Sequence, residues 1–202
     1  LKSVIILFSL TAILVFYSQV GMGDFTAPIN ASLEPYRFYY ITMSEKLSEG
    51  ILFTNESGSE ENVQYPLLSG STNNNAIWNY NISGEKTEYW IFFYGNVEID
   101  LCHGAENHLC SKPNCIGADN VKLDISNAKW SSSLTNNENY PSVSDESSFV
   151  IGFDNSHKVS TNLSSDTSVY LRYFLDIPSN VSALAYNTTY QIRAVLSGEN
   201  CA

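Results

Sequence analysis

The chain has 202 residues, 44% hydrophobic and 13% aromatic, with a formal net charge of −11. That length suits one domain, or one domain with an appendage, and so apolar a composition argues against intrinsic disorder. The excess of acid argues against a nucleic-acid partner, which needs clustered Lys and Arg, and against adhesion to an anionic membrane surface.

The first elements are set by the N-terminal run LKSVIILFSLTAILVFYSQV, whose only charge is Lys2. Val4, Ile5, Ile6, Leu7, Phe8, Leu10, Ala12, Ile13, Leu14, Val15, Phe16 and Tyr17 leave no polar stripe at helical spacing. The run predicts a helix that is apolar on every face. From Leu1 to Met22 it would be roughly 33 Å long at ~1.5 Å per residue, close to a bilayer core of ~30 Å. Gly21, Gly23 and Pro28 end it. Such a segment serves as a secretory signal, with Gly21-Met22-Gly23 as a small-x-small cleavage site, as a membrane anchor, or as a helix buried among its own copies.

An apolar run of this kind, followed by a Thr/Asn/Ser-rich β domain, resembles the archaeal type IV pilin and archaellin superfamily. Ile5 stands where bacterial type IV pilins carry Glu, which sets the resemblance apart from the bacterial branch. The resemblance implies processing before the hydrophobic run, so that Leu1 opens the mature chain and the helix is retained. It also implies a filament whose core is made of these helices.

Residues 24–35 then read as a linker, stiffened by Pro28 and Pro35. From residue 36 to residue 202, short apolar and aromatic runs alternate with Asn, Gly, Ser and Pro, which is the signature of strands. In chain order the predicted strands are 36–42, 50–54, 63–67, 76–81, 88–94, 97–101, 121–126, 149–153, 169–177 and 190–196. Their spacing predicts a mainly β fold, an antiparallel immunoglobulin-like sandwich following the N-terminal helix. The run Trp90-Ile91-Phe92-Phe93-Tyr94 is apolar on both faces and predicts a central strand or a contact between subunits. Val121–Ile125 alternates cleanly and predicts a strand with one wet face. Residues 55–62, 70–75 and 131–148 read as surface loops. The last two strands, separated by Ile177-Pro178 and a polar stretch, are similar to the closing hairpin of archaellin-like outer domains.

Cys102, Cys110, Cys115 and Cys201 predict two disulfides in an oxidising exterior. Of the three possible pairings, the spacing favours Cys110–Cys115 with Cys102–Cys201, and nearly as much Cys102–Cys110 with Cys115–Cys201. Cys102, His103, His108, Cys110 and Cys115 also hold zinc-ligand chemistry, but without CxxC spacing or a second half-site. His157 reads as an exposed side chain. The sequence holds no GxSxG, HExxH, phosphate-binding Gly-rich loop or EF-hand loop, so no enzyme and no cofactor is expected. Six N-x-S/T sequons occur, at Asn30, Asn55, Asn81, Asn162, Asn180 and Asn187, and they predict N-glycans. The strand tyrosines at 36, 39, 40, 89, 94, 170 and 173 read as sandwich core, with some available for subunit contacts.

Together these features predict a structural subunit of an extracellular, cell-surface filament, a homopolymer assembled through the N-terminal helix. Before assembly that helix would sit in the membrane. The alternative is a monomeric, membrane-anchored surface glycoprotein or binding module.

Overall fold

The computed structural model describes residues 36–53, 67–112, 115–116, 121–182 and 184–202. The chain divides into a unit of residues 1–35 and a unit of residues 36–202. All described residues belong to the second unit. The predicted N-terminal helix, the linker and residues 63–66 of the predicted strand 63–67 lie outside the described residues.

The second unit is mainly β. Strand β1 (Tyr39–Met43) is built of aromatic and β-branched side chains that suit a pleated surface. It leads into a one-turn helix, α1 (Glu45–Glu49). Ser44 caps that helix by accepting from Leu47 N, and Gly50, at φ 113°, ends it. Then follow β2 (Asn74–Asn75), β3 (Tyr89–Gly95), β4 (Ile99–Ala105), β5 (Leu109–Cys110) and β6 (Lys122–Leu123). The chain closes with β7 (Ala128–Ser133), β8 (Ser147–Ser148), β9 (Gly152–Leu163), β10 (Thr167–Leu175) and β11 (Tyr190–Leu196).

One sheet has the order β1-β3-β10-β7-β8, with β2 added to the end of β10; the other has the order β11-β4-β9. Every paired strand is antiparallel. A small ladder of β5 and β6 stands apart. The two larger sheets face each other as a sandwich. Ile91 and Phe93 of β3, Leu171 and Tyr173 of β10 and Trp130 of β7 meet Ile99 and Leu101 of β4 in one core. Alternation along β3 places Tyr89, Ile91 and Phe93 inside and Trp90, Phe92 and Tyr94 outside. At the β4–β9 seam the backbones approach so closely that a Cβ on Gly104 would lie 1.9 Å from the Gly152 carbonyl oxygen. The register there shifts three times along β9.

Several sequence expectations are corrected. Residues 76–81 form a 3-10 turn (Ile77–Asn79) rather than a strand, because Asn79 is buried and its side chain bonds the backbone of Tyr173 on both sides. Residues 121–126 give only the two-residue β6 followed by a 3-10 turn capped by Asp124. Residues 50–53 contribute a single bridge, Phe53 to Ala76. The loop expected over 131–148 begins inside β7, where Ser131 is fully buried and pairs with Arg172. The strand expected at 149–153 is displaced to 152–163, where β9 pairs with the edge that β4 offers. The last two strands are not a hairpin. Both edges of β10 are taken by β3 and β7, so β11 crosses to β4 in the other sheet.

Candidate functional site

The outward face of β1, β3 and β10 carries the most distinctive surface among the described residues. Cross-strand register sets Tyr40 opposite Tyr94, Thr42 opposite Phe92, Phe92 opposite Ser168 and Trp90 opposite Tyr170. The chain entering β1 is extended, so Tyr36 and Phe38 continue the same face: Asn96 Nδ2 donates to the Tyr36 carbonyl (2.6 Å) and Phe38 N donates to Asn96 Oδ1 (2.9 Å). The rings then stack in a row. Tyr36 lies 6.3 Å from Phe38, Phe38 lies 5.9 Å from Tyr94, and Tyr94 lies 5.3 Å from Tyr40. Tyr36 is 82% exposed and Tyr40 51%. Beside them a shallow hollow of about 190 Å³ is lined by Thr42, Trp90, Phe92, Ser168 and Tyr170. Seven aromatic side chains thus share one face, on whose outward strand positions the one charge is Arg172, buried further along β10. Apolar patches of this kind mark contact surfaces rather than ordinary solvent-facing sheet.

Further along the outward face of β10, Arg172 is buried instead of exposed. Its Nε donates to Asn79 O (3.1 Å), Nη1 to Pro141 O (2.8 Å) and Glu138 O (3.3 Å), and Nη2 to Asn137 O (2.8 Å). Its guanidinium lies 4.3 Å from the Tyr80 ring centroid. Burial lowers its pKa below the ordinary arginine value. The result is that residues 77–80 and 137–141 cover one end of the sheet and leave the aromatic end open.

Between the sheets, His103 of β4 bonds Tyr190 of β11 (Nε2 to hydroxyl, 2.5 Å), and Tyr190 bonds Tyr173 of β10 (2.8 Å). His103 lies edge-on to Trp130 and flat against Phe149. Burial pushes its pKa down to about 3, so it is neutral at ordinary pH. The trio ties three strands from two sheets together. Asp100, also buried, accepts from Lys158 Nζ (2.6 Å), Asn162 N (2.9 Å) and Gly198 N (3.1 Å). Burial alone would raise its pKa, but these donors outweigh burial and hold it below the ordinary carboxylate value.

A second hollow, of about 1060 Å³, lies inside the sandwich where both sheets end. Ile41 and Met43 of β1 and Tyr190 and Ile192 of β11 form part of its wall.

The four cysteines form Cys102–Cys201, with Cα atoms 5.9 Å apart, and Cys110–Cys115, with Cα atoms 5.2 Å apart. No free cysteine and no group of three metal-ligating side chains occurs among the described residues. His103 is in the core, and His108 Nδ1 accepts from Ile125 N (3.2 Å). His157 is only partly exposed and leans on Ser156. Of the sequon asparagines, Asn162, Asn180 and Asn187 are exposed, and Asn81 is half-buried with its Oδ1 accepting from Ser83, Glu85 and Lys86. Asn30 and Asn55 lie outside the described residues, as do the helix residues from Val4 to Tyr17. Of the strand tyrosines, Tyr89 and Tyr173 are core, while Tyr36, Tyr39, Tyr40 and Tyr94 are exposed. The sequence reading missed Arg172, Asp100 and His103 as interior anchors, because their partners are distant in the chain. Compared with known proteins, the chain matches no family model and no curated sequence.

Proposed function

We propose that this chain is the structural subunit of an extracellular pilus-like filament of the archaeal type IV pilus or archaellum kind. In this reading Leu1–Val20 is a helix that sits in the membrane before assembly and in the filament core afterwards. Residues 24–35 link it to an immunoglobulin-like outer domain that carries N-glycans.

One observation carries the reading, the uncharged aromatic face of β1, β3 and β10. Copies that each bear a formal charge of −11 repel one another. They pack closely only through a neutral surface that releases water over a wide apolar area. Two disulfides support an oxidising exterior. The apolar N-terminal run supports a second, helical contact between copies.

The test is a pair of substitutions, Tyr40→Ser with Trp90→Ser. The expected result is loss of filaments while both disulfides form and the melting temperature stays near that of the unsubstituted chain. Filaments unchanged in length and number would overturn the role given to this face.

A further inference from the structure

The hollow of about 1060 Å³ opens where each sheet ends, at β1 on one side and β11 on the other. Neither strand has a partner on its outer edge among the described residues. Among the described residues, the Tyr39 hydroxyl of β1 donates to the Ala194 carbonyl on the free edge of β11 (3.5 Å). Beyond that point the wall is mostly apolar, so it offers water few partners and offers apolar side chains a large contact area. The free edge of β11 also presents backbone groups that only another strand can pair in register. The fitting occupant is therefore a peptide strand with one apolar face.

Residues 25–33 are such a segment. Phe25, Ala27, Ile29, Ala31 and Leu33 alternate with Thr26, Pro28, Asn30 and Ser32. In a strand the first set shares one face and the second set the other. Its nine residues span roughly 30 Å at ~3.3 Å each, enough to run the whole length of the seven-residue β11. Paired antiparallel to β11, the strand would turn the backbone groups of its inward set to that edge and those of the outward set, Pro28 included, away from it, so the missing N–H costs no ladder bond. Asn30 falls on the outward face as well, where a glycan on its sequon would meet solvent. By contrast, residues 54–66, which join two parts of the wall, are mostly polar.

We propose that residues 25–33 of a second copy of this chain insert as a strand along the free edge of β11 and fill this hollow. The inference rests on the filament reading above and gives it a second contact between copies. The source is a second copy because of how the described chain enters. Tyr36 and Phe38 are tied to Asn96 in line with β1, at the end of that strand opposite Met43 and the hollow. Tyr36, the first described residue, therefore lies at the far end of β1 from the hollow.

The test uses the full-length chain under assembly conditions. Ala27→Cys, Ile29→Cys and Ala31→Cys are each combined with Ile192→Cys, and Asn30→Cys with Ile192→Cys serves as the opposite-face control. After mild oxidation, non-reducing gels should show covalent ladders for one or more of the inward positions and about tenfold less for Asn30→Cys. Mass spectrometry of Cys102–Cys201 and Cys110–Cys115 shows that each variant has folded. Bonds formed only within single chains, equal yields on both faces, or no bonds in filaments visible by electron microscopy would overturn the inference and leave the filament reading standing. Absence of filaments from the unsubstituted chain would overturn both. As a second measurement, Ile29→Asp should lower the melting temperature of assembled material by roughly 5–10 °C, and Asn30→Asp should leave it unchanged. Equal shifts for the two would also overturn the inference.

Discussion

Arg172 shows how single residues decide this fold. Four backbone carbonyls, from Asn79, Asn137, Glu138 and Pro141, take the place of a counter-ion. Removing the guanidinium takes the donor from the buried carbonyls of Asn79 and Pro141. Arg172→Met should therefore cost about 3 kcal/mol or more in denaturant unfolding, and Arg172→Lys should recover only part, since an ammonium lacks the planar fork. A loss below about 1 kcal/mol for Arg172→Met would contradict the anchoring role. His103 makes a pH prediction. Its folded pKa is pushed down to about 3, against 6.5 for a free imidazole. The neutral form favours the fold, so its contribution is full above pH 6.5 and is lost as pH falls toward 3. His103→Gln should flatten the acid slope of the melting temperature between those limits. An unchanged slope would mean the imidazole does not titrate with unfolding. Neither residue's role was legible in the sequence. Arg172 sits in a run correctly read as a strand, but the loops that bury it lie 31 to 35 residues back at Asn137 to Pro141 and 93 back at Asn79.

At the scale of elements, legibility followed hydrophobic pattern. β3, β10 and β11 were readable because their side chains are aromatic or branched and their runs are long. β7, with the sequence AKWSSS, was not, since three serines signal a loop until neighbouring strands bury them. β9 is mostly polar and exists because β4 supplies a template. AIWNYN looked like a strand but turned, because the Asn79 amide bonds backbone better than a ladder could. The cysteine pairing was one of the two that spacing favoured. Cys102–Cys201 closes a loop of 99 residues and staples β4 to the chain terminus. Cys201→Ser should lower stability by about 4–5 kcal/mol in the chain-entropy account and leave Cys102 as a free thiol. A melt identical to that of the intact chain would show that the staple does not constrain the unfolded state. The aromatic face was half legible. The run WIFFY showed two apolar faces, but only the register with β1 and β10 brought Tyr40 and Tyr170 beside it.

At the scale of the whole molecule, the proposed filament needs three features to act together: the acidic excess, the aromatic face and the apolar N-terminal run. The charge keeps copies apart wherever the face is not engaged. In that proposal the run would supply cohesion, since a helix without a polar stripe has no surface to show to water. Ile6→Asp places a charge within that run and should prevent assembly, at a cost of about 3 kcal/mol or more per subunit. Normal filaments from that variant would remove the helical core from the account. The most direct measurement is electron microscopy of the full-length chain after detergent removal, with particle mass taken by light scattering from the same sample. The account predicts filaments of uniform width and a mass many times the 22.5 kDa of one chain. Uniform particles of single-chain mass would contradict it.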